Sequence, residues 1–262
     1  MRQSRVSRVR SRTIEIVTET RSFLTQSSKK RNNRTELVLP LHDNNPTRTT
    51  PYIVYGLVGA NIFIFLFEMT LSKPQLLQFF HIWAVVPQEL TASLQGAAGS
   101  GEWLTLITSQ FLHGGFLHVA GNMLFLWVFG NNVEDCLGHV KFLGFYLACG
   151  IAAALSQWFF SMNSGVPLVG ASGAIAGVLG AYILRFPRAE VVTLIPLGFF
   201  MTTVRLPAYF FLGFWFLQQA FFSFVSLQNT EMVASGGVAY LAHAGGFVVG
   251  MLLAPLLGLF GE

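Results

Sequence analysis

From Phe142 to Leu184 the chain runs for 43 residues without one charged side chain. A stretch that apolar is long enough for two membrane crossings. Asn163, Ser164, Gly165, Val166 and Pro167 supply a turn signal inside it, so it reads as two helices. The rest agrees: 53% of the 262 residues are apolar and 11% charged, against about a quarter charged in soluble domains. Open sheet edges do not survive in lipid, and the alternation of barrel strands is absent, so the spans are helices. The expected fold class is an all-α polytopic membrane protein.

Six helices are expected: about Tyr52–Leu71, Phe116–Asp135, Lys141–Met162, Gly170–Leu184, Pro207–Leu227 and Gly236–Phe260. The long first loop, from Ser72 to about Gly115, holds Trp83, Trp103 and short apolar stretches. None is long enough to cross, so it is expected to lie along the membrane surface. Val191–Val204, interrupted by Pro196, is also too short to cross roughly 30 Å of hydrocarbon and is expected to be interfacial or re-entrant. Six crossings put both termini on one side. Of the 16 Lys and Arg, 11 lie in residues 1–48, and Lys141, Arg185, Arg188 and Arg205 fall on the same side, leaving Lys73 alone opposite. That asymmetry is expected to make the termini cytoplasmic.

Residues 1–38 read as a disordered basic tail and 39–262 as one membrane domain. The tail has no apolar h-region, so it is not a cleaved secretory signal, while its Arg and Ser content leaves an organelle transit peptide open. Its expected partner is anionic lipid. Nucleic acid is not expected, because only Phe23 interleaves with the arginines. Cys136 and Cys149 lack metal-site spacing and read as reduced structural thiols.

On this topology Ser172 and His243 both lie near the outer ends of parallel helices. Each sits beside a small-residue stripe with a spacing of four: Gly173, Gly177, Ala181 and Ala242, Gly246, Gly250, Ala254. Such stripes let backbones approach closely. A serine needs a base to become a nucleophile, and histidine is the usual one. No carboxylate is placed to orient the ring: Asp135 is at the cytoplasmic end and Glu231 lies in a loop. A Ser172–His243 dyad is therefore expected rather than a triad. His118 and Asn122, four apart, share a helix face, with His113 just before them. Their N–H groups and the Ser172 backbone N–H would form an oxyanion hole. No metal or cofactor is called for.

Plainer readings stand beside these. A small-Ser-Gly turn at a helix start is usually packing, and Ala174 excludes the soluble-hydrolase G-x-S-x-G elbow. A membrane histidine can serve as a gate or a proton relay, which keeps a small transporter in view. His118 with Asn122 can brace helices. His81 and His139 read as structural; the Phe-rich fifth helix reads most simply as lipid-facing, with a lateral substrate gate lined by its large rings as the alternative.

These residues resemble the rhomboid intramembrane serine proteases. The family's two histidines and an asparagine appear as His113, His118 and Asn122. Its G-x-S-G appears as Gly170, Ala171, Ser172, Gly173, and its A-H-x-x-G as Ala242, His243, Ala244, Gly245, Gly246. The lead-in from Pro40 to Thr47 and the run Asn131–Gly138, with a structural Glu134, resemble those of bacterial members, which implies a bacterial plasma membrane; the resemblance covers about residues 39–262. It implies a six-helix bundle whose site opens to the outer face through a water-filled cavity. It also implies single-span transmembrane protein substrates, entering sideways and cut near the outer end of their span. Two departures stand out. Trp103 is followed by Leu104 where many members have Arg, and Ala176 stands where some place an aromatic ring against the histidine. Inactive relatives that only bind clients typically lack the serine or the histidine; both are present here.

Overall fold

The computed structural model describes residues 39–97, 99–197, 200–228 and 239–261. The tail, Glu231 and the expected start of the sixth helix at Gly236 lie outside the described residues. In chain order come strand β1 (Leu39–Asp43) and helices α1 (Tyr52–Thr70), α2 (Lys73–Trp83), α3 (Pro87–Leu94) and α4 (Glu102–Thr108). A 3-10 turn (Ser109–Phe111) leads to α5 (Phe116–Leu137), α6 (His139–Phe160) and α7 (Ser172–Arg185). Strands β2 (Glu190–Leu197) and β3 (Phe200–Pro207) precede α8 (Ala208–Gln228) and α9 (Tyr240–Leu256). The six expected long helices are α1 and α5 to α9.

The start of α1 shows how the bundle is tied together. Pro51 offers no capping side chain, and the first N–H groups of a helix have no intrahelical acceptor. Glu134, fully buried in the last turn of α5, supplies one. Its carboxylate accepts the Ile53 N–H at 2.9 Å and the Val54 N–H at 2.8 Å. Asp135 next to it accepts the Arg48 and Thr49 N–H groups at 3.1 and 2.8 Å. Both acids sit at the positive end of the α1 dipole. His139 reaches Glu134 at 2.6 Å, so both residues are structural, as expected.

By length and composition α1, α6 and α8 can each cross a membrane. The segment Glu102–Phe111 meets α5 at a bend of 82°. It therefore runs across the axis of α5. That loop docks on the bundle through Val85, Leu90 and Leu106 against Ala154. Polar bonds join it to the 161–168 stretch: Leu168 N–H to Val85 O at 2.8 Å and Gln88 N–H to Ser164 O at 3.0 Å. Trp103 and Leu104 are exposed. Backbone bonds and packing thus seat this loop without the arginine that many family members place there.

The helix α7 is the bundle's axis. Gly173 through Tyr182 are all buried, which is why its sequence is apolar all round. A Cβ on Gly246 would overlap the Gly173 carbonyl, and one on Gly250 would overlap Gly177. The two small-residue stripes therefore face one another at backbone contact. Residue numbers rise together along this seam, so α7 and α9 are parallel.

The stretch Val191–Val204 takes a form that its sequence does not announce. It is most of an antiparallel hairpin, with Glu190 opposite Pro207 and Leu197 opposite Phe200. The chain returns to the end it left, so the segment adds no crossing. Strand β1 pairs with β2, giving the order β1-β2-β3. Tyr182 near the end of α7 donates its hydroxyl to Asp43 in β1. This small sheet is the one departure from an all-helical architecture among the described residues. Along α8, Phe210, Phe214, Leu217, Phe221 and Phe224 form one exposed apolar face.

Candidate active site

Ser172 opens α7, so its position is set by the non-helical chain before it. Gly170 N–H donates to Ser109 O at 2.9 Å, anchoring that chain to the first loop. Gly170 has φ +126°, a left-handed conformation that favours glycine. A Cβ there would also come within 2.8 Å of the His118 ring, with Asn122 Nδ2 at 3.6 Å. Glycine is thus required twice over, by backbone conformation and by the close approach of two polar side chains from α5.

His243 lies in the first turn of α9, next to Ala242 on the seam with α7. Its Nε2 is 2.7 Å from Ser172 Oγ. Its Nδ1 is 2.8 Å from Oε1 of Gln219, a buried residue of α8. An amide oxygen only accepts, so Nδ1 carries the ring proton and Nε2 presents a lone pair to the serine hydroxyl. Trp215, one turn before Gln219, lies against the imidazole with ring centroids 5.9 Å apart. Ala176, buried within the bundle, makes no such contact; α8 holds the ring instead.

Across from this pair, Asn122 Nδ2 is 2.9 Å from His113 Nε2. The amide donates, the ring nitrogen accepts, and one Asn122 N–H remains free to serve another acceptor. His113 and His118 pack edge to face at 5.2 Å. The His113 backbone N–H donates to Glu68 of α1, at 3.2 Å to the nearer carboxylate oxygen. Ser172, His243, His113, His118, Asn122 and Gly170 are therefore gathered around the N-terminal ends of α5, α7 and α9. His81 and His139 are not among them: His81 pairs with Glu89 at 3.2 Å in the first loop.

Gln219 and Trp215 are the residues that sequence reasoning misses. A signal for them exists. Leu212, Trp215, Gln219, Ser223 and Ser226 recur at helical spacing opposite the phenylalanine face of α8. An amide on that inner face of a membrane helix needs a partner.

A profile of the Rhomboid domain family matches residues 100–260, a span that holds every residue of this cluster except Glu68. The chain belongs to the rhomboid family. It is an integral, polytopic helical membrane protein of that family. It is similar to Rhomboid protein 1, mitochondrial, of Saccharomyces cerevisiae, with 29% identity over 206 residues, 76% of this chain and 51% of the relative. It is 46% identical to the Bacillus subtilis Rhomboid protease GluP over 83 residues, 32% of this chain and 16% of the relative. Rhomboid-like protein 11, chloroplastic, of Arabidopsis thaliana is 30% identical over 162 residues, 60% of this chain and 54% of the relative. The chain thus spans about half the length, or less, of these curated rhomboid relatives.

Proposed function

We propose that this rhomboid is an intramembrane serine endopeptidase acting through a Ser172–His243 dyad. The observation that carries the reading is the 2.7 Å contact between Ser172 Oγ and His243 Nε2. The imidazole takes the hydroxyl proton as Oγ attacks a peptide carbonyl carbon. Negative charge then develops on the carbonyl oxygen. Donors for it are the free Asn122 N–H, His118 and the Ser172 backbone N–H, which has no intrahelical acceptor at a helix start. His243 returns the proton to the departing amine, and water repeats the cycle on the acyl-enzyme.

The proposed substrates are single-span transmembrane proteins that enter from the lipid and are cut near the outer end of their span. Cleavage needs a locally opened helix, so helix-weakening residues near the scissile bond favour it. The proposed protease domain is residues 39–262, preceded by a basic cytoplasmic tail. The proposed setting is a bacterial plasma membrane, and the placement of 15 of 16 Lys and Arg on the tail's side supports both termini being cytoplasmic. Relatives named as mitochondrial and chloroplastic make the tail's fate the discriminating observation. Tags on each terminus in intact cells test the orientation, and removal of the tail by isolated mitochondria would refute the bacterial placement.

The purified protein is mixed with a labelled single-span substrate and, separately, with a fluorophosphonate. Cleavage and labelling at Ser172 are expected, with Ser172→Ala and His243→Ala lowering turnover by on the order of 10⁴-fold or more. Cleavage that survives Ser172→Ala refutes the assignment. A client-binding protein without activity would capture the substrate intact.

A further inference from the structure

Hydrolysis by a dyad leaves one question open: what keeps the imidazole turned the right way. A histidine that hydrogen-bonds only to its serine can rotate or exchange its ring proton between nitrogens, and the wrong tautomer cannot act as base. We infer that Gln219 is the positioning residue of His243, its amide oxygen holding the Nδ1 proton so that Nε2 stays bare toward Ser172. The inference rests on the proteolytic reading above and adds a third partner to it.

Three observations carry it. The Nδ1 to Oε1 distance is 2.8 Å, matching the 2.7 Å on the other side of the ring, so both nitrogens are engaged at once. Gln219 is buried, and its amide meets the ring from the inner face of α8, opposite the exposed phenylalanine face. Trp215, one turn earlier on that face, lies against the ring and limits its tilt. The chemistry of the setting also favours an amide. Burying a carboxylate beside a neutral ring inside a bilayer is far more costly than burying a hydrogen-bonded amide. A carboxylate stabilises the imidazolium as well as orienting the ring; an amide mainly orients it. Gln219 touches neither substrate nor the reacting atoms.

A brace between α8 and α9 would use the same contact, so the test must separate orientation from packing. The full-length protein in detergent micelles is assayed for substrate cleavage and for the rate of fluorophosphonate labelling across pH. Gln219→Met keeps length and flexibility but removes the acceptor. Its kcat is expected to fall about 10- to 100-fold, as expected for one lost buried hydrogen bond, with KM unchanged within about twofold. Gln219→Glu restores an acceptor. Its kcat is expected to recover to within severalfold of wild type, while the acid limb of the pH–rate profile moves to higher pH, because a carboxylate favours the protonated ring. Ser223→Ala, one turn further along the same face, should keep wild-type values. If Gln219→Met fails to fold, the displaced acid limb of Gln219→Glu carries the test alone. Wild-type kcat in Gln219→Met, or an unmoved profile in Gln219→Glu, overturns the inference and leaves the dyad standing. A wild-type protein that neither cleaves nor labels overturns both.

Discussion

Replacing Glu134 tests whether the bundle is tied together where the packing says it is. The carboxylate is fully buried and collects three hydrogen bonds: Ile53 N–H at 2.9 Å, Val54 N–H at 2.8 Å and His139 Nδ1 at 2.6 Å. Alanine would leave two helix-start donors and a histidine without their acceptor. Removing one partner of a buried charged network costs about 3–5 kcal/mol. Glutamine keeps one acceptor but turns an N–H₂ toward the second donor, for a loss of about 2 kcal/mol. Glu134 is twelve residues beyond Asn122 on α5, or about 18 Å along the helix axis. Stability should therefore change while the site does not. Unfolding can be followed in micelles by a thiol-reactive dye at Cys149, which is free and buried, in a Cys136→Ser background. The alanine variant should melt about 10 °C lower and the glutamine variant about half as far. Per folded molecule, labelling at Ser172 should be unchanged. An alanine variant that melts within about 2 °C of the parent would refute the capping account.

Gly170→Ala should cost activity more than stability, because its Cβ strains a left-handed residue and displaces His118; a loss of about 100-fold in labelling rate with the fold retained by melting is the expected result. Asn122→Ala should lower kcat by on the order of 10²-fold with KM little changed, read by steady-state cleavage. In the first loop, His81 is held by its bond to Glu89, which pushes the imidazole up to about 9 from 6.5. A raised folded value means that the pair's contribution is complete below about pH 6.5 and fades as pH rises through about 9. Limited proteolysis between α2 and α3 should therefore speed up above about pH 9, and Glu89→Gln should remove that dependence.

The long helices and the seam between α7 and α9 are legible in the chain because the signals are local. Gly173 and Gly177 on one helix and Gly246 and Gly250 on the other repeat at four, the period at which a helix surface returns to the same face. Placing Ser172 and His243 beside such stripes is enough to bring them together. The hairpin is less legible. Val191, Val192, Thr193 and Thr202, Thr203, Val204 are β-branched runs on either side of a turn. Membrane-like composition hides that pattern, and the third strand is recruited from residue 39, some 150 positions earlier. Gln219 is illegible for a chemical reason: a carboxylate is the usual partner of a catalytic histidine, although an amide can hold a ring proton equally well by geometry.

How the proposed nucleophile Ser172 would come to sit below a membrane surface follows from one length. The helix α7 has 14 residues, or about 21 Å, against roughly 30 Å of hydrocarbon. About 9 Å of the crossing is left to chain that is not helical. Bare backbone in lipid costs several kcal/mol per unpaired group, so such chain survives only when protein or water covers it. The first loop provides that cover. Val85 O takes the Leu168 N–H, Ser109 O takes the Gly170 N–H, and Gln88 N–H donates to Ser164 O. The same bonds that make the short helix tolerable fix where it begins. Since Ser172 is its first residue, the loop sets the depth of the hydroxyl and, through Gly170, its distance from His118 and Asn122. Substitutions that loosen this loop should therefore weaken the site before they unfold the bundle, because the seam between α7 and α9 does not depend on it.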